Sequence, residues 1–198
     1  MRDLTKVVSN ATEFQYKQLI RVIKFVEQTR DDGIKIKPNE DNKWKLTAYA
    51  DSDWAGDMGD RKSISGWILF MNGAPILWGS KKQGSVAISS TEAEYVALSE
   101  MSKEVLFMHS VLSFIQGKPV QLPINVYCDN TGAIYITKNP QLRRVKHIDN
   151  RYHYVKDYVE DGLLKIQYIG SEANLADPFT KNLPKKNYDT AHPYMERV

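Results

Sequence analysis

Along residues 12–30, TEFQYKQLIRVIKFVEQTR, the apolar positions Tyr16, Leu19, Ile20, Ile23 and Val26 return on one face at 3.6-residue spacing. Val22 widens that face and Phe25 points away from it. The spacing predicts an amphipathic helix with Thr12 as its cap. A polar stretch with Gly and Pro, DDGIKIKPNEDNK, follows, and a domain boundary is expected near residue 40. The pattern then changes. KLTAYAD reads as a strand, and SISGWILFMNGAPILWGSKK as two more joined at Asn72-Gly73. Asn-Gly between apolar runs signals a hairpin, because both central residues of a type I′ turn need positive φ. These three strands form an antiparallel meander.

A long helical pattern occupies 91–115, with Ala93, Val96, Ala97, Met101, Val105, Met108, Val111, Leu112 and Ile115 as its apolar positions. Ser89, Ser90 and Thr91 are candidate N-caps, and Gly117 and Pro119 end it. PINVYCD is a fourth strand and NTGAIYITK opens another helix. Residues 146–161 form an amphipathic helix carrying Ile148, Tyr152, Val155 and Val159, stopped by Asp161-Gly162. LLKIQYI is a fifth strand, SEANLADPFTKNLP a short helical turn broken by Pro178, and the polar tail is expected to be weakly ordered. The order β-β-β-α-β-α-α-β-α behind one extra helix implies an α/β protein, a mixed sheet with helices on its faces.

Composition narrows the class. The chain has 198 residues, 42% of them apolar, with eleven Tyr and four Trp, enough for a sizeable core and against disorder. Lys and Arg number 27 against 24 Asp and Glu, so the net charge of +3 neither demands nor excludes nucleic acid. The single cysteine, Cys128, rules out a disulfide framework within the chain and fits a reducing compartment. No run approaches the roughly 20 apolar residues that cross a bilayer, and MRDLTKVVSN lacks a signal peptide's apolar centre. A soluble intracellular protein with no membrane partner is expected.

Carboxylates then stand out. Asp51 ends the first strand, Glu92 and Glu94 lie in the first turn of the long helix, Asp129 ends the fourth strand, and Asp177 follows the fifth. Strand ends and helix starts are where open α/β sheets place their sites. Spacing does not choose between Asp51 and Asp53, which project from one face of a strand, nor between Glu92 and Glu94, about 200° apart on a helix. The bland alternative for each acid is a solvated turn residue or a helix cap, and Asp57 and Asp60 are left to it. His and Cys clusters with zinc spacing are absent. A hard, oxygen-liganded ion such as Mg²⁺ is therefore the expected partner.

Six stretches, YADSDWAGD, RKSISGWILF, WGSKKQGSVAISSTEAEYVAL, VYCDNTGAI, KHIDNRYHYVKD and NLADPFTKNLP, resemble in order the ribonuclease H domain that ends the polyprotein of copia-type (Pseudoviridae-like) retrotransposons. They cover roughly residues 45–184. QYKQLIRVIKFVEQT resembles the helix that links the reverse-transcriptase part to the ribonuclease H part. The resemblance implies residues 1–40 as the end of that connection, 41–184 as the ribonuclease H domain and 185–198 as a C-terminal tail. It implies a ribonuclease H-like fold: a five-stranded mixed sheet of three antiparallel strands and two added parallel, flanked by helices. By motif it assigns Asp51, Glu94, Asp129 and Asp177 as the catalytic acids and metal ligands, holding two Mg²⁺ ions, with Mn²⁺ as a substitute.

The implied activity is metal-dependent hydrolysis of the RNA strand of RNA–DNA hybrids during reverse transcription, in the cytoplasm and in virus-like particles. The implied partner in the same polyprotein is a reverse-transcriptase domain. Expected substrate contacts are Ser89, Ser90, Thr91 and Asn130 near the acids, and Lys146, His147 and Arg151 in the most basic stretch, KNPQLRRVKHIDNR, with Lys81 and Lys82 adding charge. Trp67 and Trp78 read as core. Many cellular and retroviral members carry a His before the last Asp. YIGSEANLAD has none, and its Asn174 would share a helix face with Asp177. The competing reading is a non-catalytic module that holds hybrid or positions a polymerase.

Overall fold

The computed structural model describes residues 2–34, 44–57, 59–139, 153–181 and 195–197. Its helices are α1 (Arg2–Thr5), α2 (Glu13–Gln28), α3 (Ser90–Gln116), α4 (Thr131–Lys138) and α5 (Tyr154–Glu160). Its strands are β1 (Asp32–Ile34), β2 (Leu46–Asp53), β3 (Ile64–Met71), β4 (Ala74–Lys82), β5 (Ile124–Cys128), β6 (Leu164–Tyr168) and β7 (Met195–Arg197). The chain divides into two compact units, residues 1–35 with 195–198, and residues 36–194.

In the first unit, Thr12 caps α2 as its sequence predicts. Its hydroxyl accepts from the Gln15 amide (3.4 Å) while the Gln15 side chain accepts from the Thr12 amide (2.7 Å), a reciprocal capping box. No residue of α2 is buried, and Tyr16, Leu19, Ile23 and Val26 all stay exposed. β1 pairs antiparallel with β7, Asp32 opposite Arg197. Neither three-residue strand is predicted from its sequence, and β7 falls within the stretch expected as a loose tail.

The second unit is built on one sheet in the order β4-β3-β2-β5-β6. β2, β3 and β4 are the antiparallel meander, and β5 and β6 add parallel beside β2. This is the arrangement the ribonuclease H resemblance implies. Asn72 (φ 51°) and Gly73 (φ 85°) both take the positive φ that the hairpin turn demands. β3 is buried along almost its whole length. Beneath α3 lie Ala48 and Ala50 of β2, whose small side chains let Tyr95, Leu98 and Met101 pack into a core shared with Leu69, Val126 and Ile166.

α3 is capped by Ser89, whose hydroxyl accepts from the Glu92 amide, and ends at Gly117 in the left-handed region. Its first turns are buried on nearly every side from Glu92 to Ser99, but Phe107, Phe114 and Ile115 near its end are exposed. The predicted helix over 146–161 is seen as α5, since 140–152 lie outside the described residues. The turn expected to break at Pro178 is instead two 3-10 turns, Ser171–Ala173 and Asp177–Phe179. Pro178 opens the second, because a first-turn residue needs no amide hydrogen.

Candidate active site

β2 and β5 pair in parallel from Thr47 opposite Asn125 to Tyr49 opposite Tyr127. Two residues further along each strand stand Asp51 and Asp129, so the register itself sets them side by side. α3 crosses β2 just past its own start and brings Glu94 to the same place. Glu94, Cys128 and Asp129 offer potential ligand atoms within 4.8 Å of one another.

The two ambiguities of spacing are decided by packing. Asp51 is 1% exposed, whereas Asp53 turns back on its own loop, where its carboxylate lies so close to Gly56 that a Cβ there would be 2.2 Å from Oδ2. Glu92 serves the helix start, its Oε2 accepting from the Ile88 amide at 2.7 Å. Glu94 faces inward instead. Its Oε1 accepts from both the amide (3.1 Å) and the hydroxyl (2.9 Å) of Ser52, the residue after Asp51. Asp57 and Asp60, read as ordinary turn residues, form such a turn: both pair with Lys82, although Asp57 is buried.

Burial dominates the electrostatics. It pushes Glu94 up to about 8, helped by the fields of Asp51 and Asp129 and opposed by the Ser52 hydrogen bonds. It pushes Asp51 up to about 6 against the Thr180 hydrogen bond and the Lys181 charge. Cys128 is driven upward by burial and by Glu94, so its thiol stays protonated beside Glu94 Oε2 at 3.8 Å. A buried carboxylate such as Glu94, costly to ionise without a positive partner, is poised to take up a cation. With the thiol neutral and no imidazole in the group, the donors are hard oxygens, which fit Mg²⁺ or Mn²⁺ rather than zinc.

Asp177 arrives on a separate segment, 171–181, laid across the ends of β2 and β3. Buried Asn174 donates to the Ala50 carbonyl (3.0 Å) and accepts from the Ala176 amide (3.1 Å). Asn174 thus sits between the two 3-10 turns as an anchor, not on a helix face shared with Asp177. Thr180 donates its hydroxyl to Asp51 Oδ2, and its hydroxyl oxygen also lies 3.0 Å from the Asp177 carbonyl. Lys181 pairs with Asp177 at 2.7 Å, and Ser171 donates to Asp129 Oδ2 at 2.6 Å.

Of the expected substrate residues, Ser89 caps α3, Ser90 is exposed, and the Thr91 hydroxyl is 3.4 Å from Asn130 Oδ1. Asn130 caps α4 by accepting from the Ala133 amide (2.9 Å). Lys146, His147 and Arg151 lie outside the described residues. Lys81 pairs with Glu100, and Lys82 with Asp57 and Asp60. Trp67 is core as expected, but Trp78 is half exposed. Sequence reading assigned nothing to Ser52, Gly66, Ser171, Thr180 or Lys181. For the last two a signal existed, since they follow Asp177 by three and four residues.

No protein-family model matches the chain. It is 38% identical over 183 residues, 92% of its length, to the retrovirus-related Pol polyprotein from transposon RE2 of Arabidopsis thaliana, of which it covers 12%. It is 40% identical over 145 residues, 73% of its length, to the corresponding polyprotein from transposon TNT 1-94 of Nicotiana tabacum, covering 11% of that protein. It is also 38% identical over 105 residues to the secreted RxLR effector protein 161 of Plasmopara viticola, covering 53% of this chain and 72% of the effector. The chain thus spans about an eighth of the length of the Pol polyproteins it matches. Among solved structures, LC11-RNase H1 isolated from compost aligns with a TM-score of 0.49 at 18% identity, over 69% of this chain and 92% of that one, too loosely to carry weight.

Proposed function

This chain belongs to the family of copia-type retrotransposon Pol polyproteins, and on that premise we propose that it is the ribonuclease H domain of such a polyprotein, cutting the RNA strand of RNA–DNA hybrids. The observation that carries the proposal is the meeting of buried Asp51 and Glu94 with half-buried Asp129, brought from β2, α3 and the end of β5 to one place.

Asp51, Glu94, Asp129 and Asp177 are the residues that hold divalent metal in this reading. Two such ions, when bound, supply the charge that activates water and stabilises the leaving oxygen in phosphodiester hydrolysis. The chain's own residues do the rest. Ser52 fixes the orientation of Glu94, and Thr180 that of Asp51. Ser171 holds Asp129 in place. Ser90, Thr91 and Asn130 lie at the starts of α3 and α4, where exposed amides and hydroxyls favour phosphate oxygens and the 2′-OH that distinguishes RNA. Lys146, His147 and Arg151 extend the contact to the phosphate backbone, and a reverse-transcriptase domain in the same polyprotein delivers the hybrid.

The test is cleavage of an end-labelled RNA strand annealed to DNA, with Mg²⁺ or Mn²⁺ and then with EDTA, beside Asp51→Asn. Hybrid-specific cutting that EDTA and Asp51→Asn both abolish is the expected result. Binding of hybrid without cutting under either metal would make the chain a binding module instead.

A further inference from the structure

Four carboxylates in one site need positive charge even when metal is absent. Hydroxyls from Ser52, Ser171 and Thr180 meet part of that need by hydrogen bonding. Among the described residues only Lys181 brings a full charge into contact with one of the four acids: its ammonium lies 2.7 Å from Asp177 Oδ1. We propose that Lys181 is a built-in counter-ion of the acid cluster, competing with a divalent cation for Asp177 and so setting how much divalent cation the site needs to fill. This rests on the metal-dependent reading above and adds to it a residue that regulates the same site.

Two features make the exchange feasible. The first is that the acid stays put when the lysine leaves. The backbone bearing Asp177 is held by Asn174 on the Ala50 carbonyl and by Thr180 on Asp51, both independent of the ammonium. Gly66 of β3 leaves the room in which that backbone sits. The second is that the lysine leaves easily. Its side chain is 42% exposed, against 15% for that of Asp177, and a four-carbon stem swings into water without moving the main chain. The ammonium also feels more than one acid. Its charge attracts Asp51 and Asp129 as well as its partner Asp177. A charge that attracts all three acids must repel a cation bound among them.

The experiment is Mn²⁺ binding to the full chain, read by electron paramagnetic resonance of the free ion at constant ionic strength. Wild type is compared with Lys181→Met, which keeps length and loses charge, Lys181→Arg, which keeps charge, and Asp51→Asn. The expected result is that Lys181→Met binds Mn²⁺ about two- to fivefold more tightly, the scale of a partly exposed ion pair. Lys181→Arg should stay near wild type, and Asp51→Asn should weaken binding. Unchanged or weaker binding in Lys181→Met, with wild type still binding and Asp51→Asn still impaired, overturns the role of Lys181 and leaves the metal reading intact. Absence of any Mn²⁺ binding that depends on Asp51 overturns both. Circular dichroism of each variant checks that the half-exposed substitution leaves the fold in place, and Lys181→Gln repeats the loss of charge with a polar side chain.

Discussion

Gly66 and Thr180 touch where a side chain on the first would exclude the second: a Cβ built on Gly66 lies 2.6 Å from Thr180 Cγ2, 2.9 Å from Phe179 Cβ and 3.1 Å from the Ala176 carbonyl. Gly66 is opposite Asp51 in the β2–β3 pairing. The missing side chain is therefore what lets the Asp177 segment settle beside the first acid.

Gly66→Ala should displace that segment, since neither a buried threonine nor backbone can move aside cheaply. Urea denaturation is expected to show a loss of about 1–3 kcal/mol, the usual range for overpacking. Cleavage of hybrid should fall at least tenfold. A variant as stable and as active as wild type would mean that the segment is not held where it is described.

The raised proton affinities predict a pH dependence of stability in the absence of metal. Glu94 moves from an ordinary 4.5 to about 8, and Asp51 from 3.8 to about 6. The folded state then binds more protons than the unfolded one, so this contribution is complete below about pH 4 and is lost as pH rises through 6 and then 8. In EDTA, the wild type should lose stability relative to Glu94→Gln between pH 5 and 8.5, because the amide cannot ionise. Millimolar Mg²⁺ should reverse that loss at the alkaline end. Thermal melts across the range are the measurement, and a constant difference between the two proteins would contradict a proton held on buried Glu94.

Ser52→Ala removes the hydroxyl that Glu94 accepts from and keeps the amide. The expected stability loss at pH 7 is about 0.5–1.5 kcal/mol, the net worth of one hydrogen bond. The pH at which Glu94 loses its proton should also rise, because the hydroxyl favours the ionised form. Carboxyl-directed NMR titration of the variant against wild type reads that shift directly.

Asn174→Ala leaves the Ala50 carbonyl without its side-chain donor in a fully buried strand residue. A buried acceptor stripped of its partner costs about 1–3 kcal/mol. Asn174→Asp should be worse at neutral pH, since it sets a carboxylate oxygen against that carbonyl. Equal stability of the three proteins in urea would show that another group anchors the segment.

Local pattern carried much of this molecule into view. The strand-like runs of β2 to β6, the Asn72-Gly73 hairpin, the Thr12 cap and the start and end of α3 are all legible from neighbours within a few residues, because propensity and capping are short-range effects. Three elements escaped, α1, β1 and β7: three or four residues are too few to show a period, and the pairing of β1 with β7 joins opposite ends of the chain.

The acids divide along the same line. Their place at strand ends and helix starts could be read from the sequence, and motif resemblance chose Asp51 over Asp53 and Glu94 over Glu92. The physical grounds for those choices exist only in the folded chain. Glu94 meets Ser52 across 42 residues, Asn174 meets Ala50 across 124, and Thr180 meets Asp51 across 129. Periodicity says which face a residue occupies, not which distant group will stand there. Most elements and the candidate acids follow from local pattern; the close approach at Gly66, the burial that raises the proton affinity of Glu94 and Asp51, and the pairing of Lys181 with Asp177 follow from tertiary packing, because desolvation and charge interaction depend on what lies within a few ångströms in space.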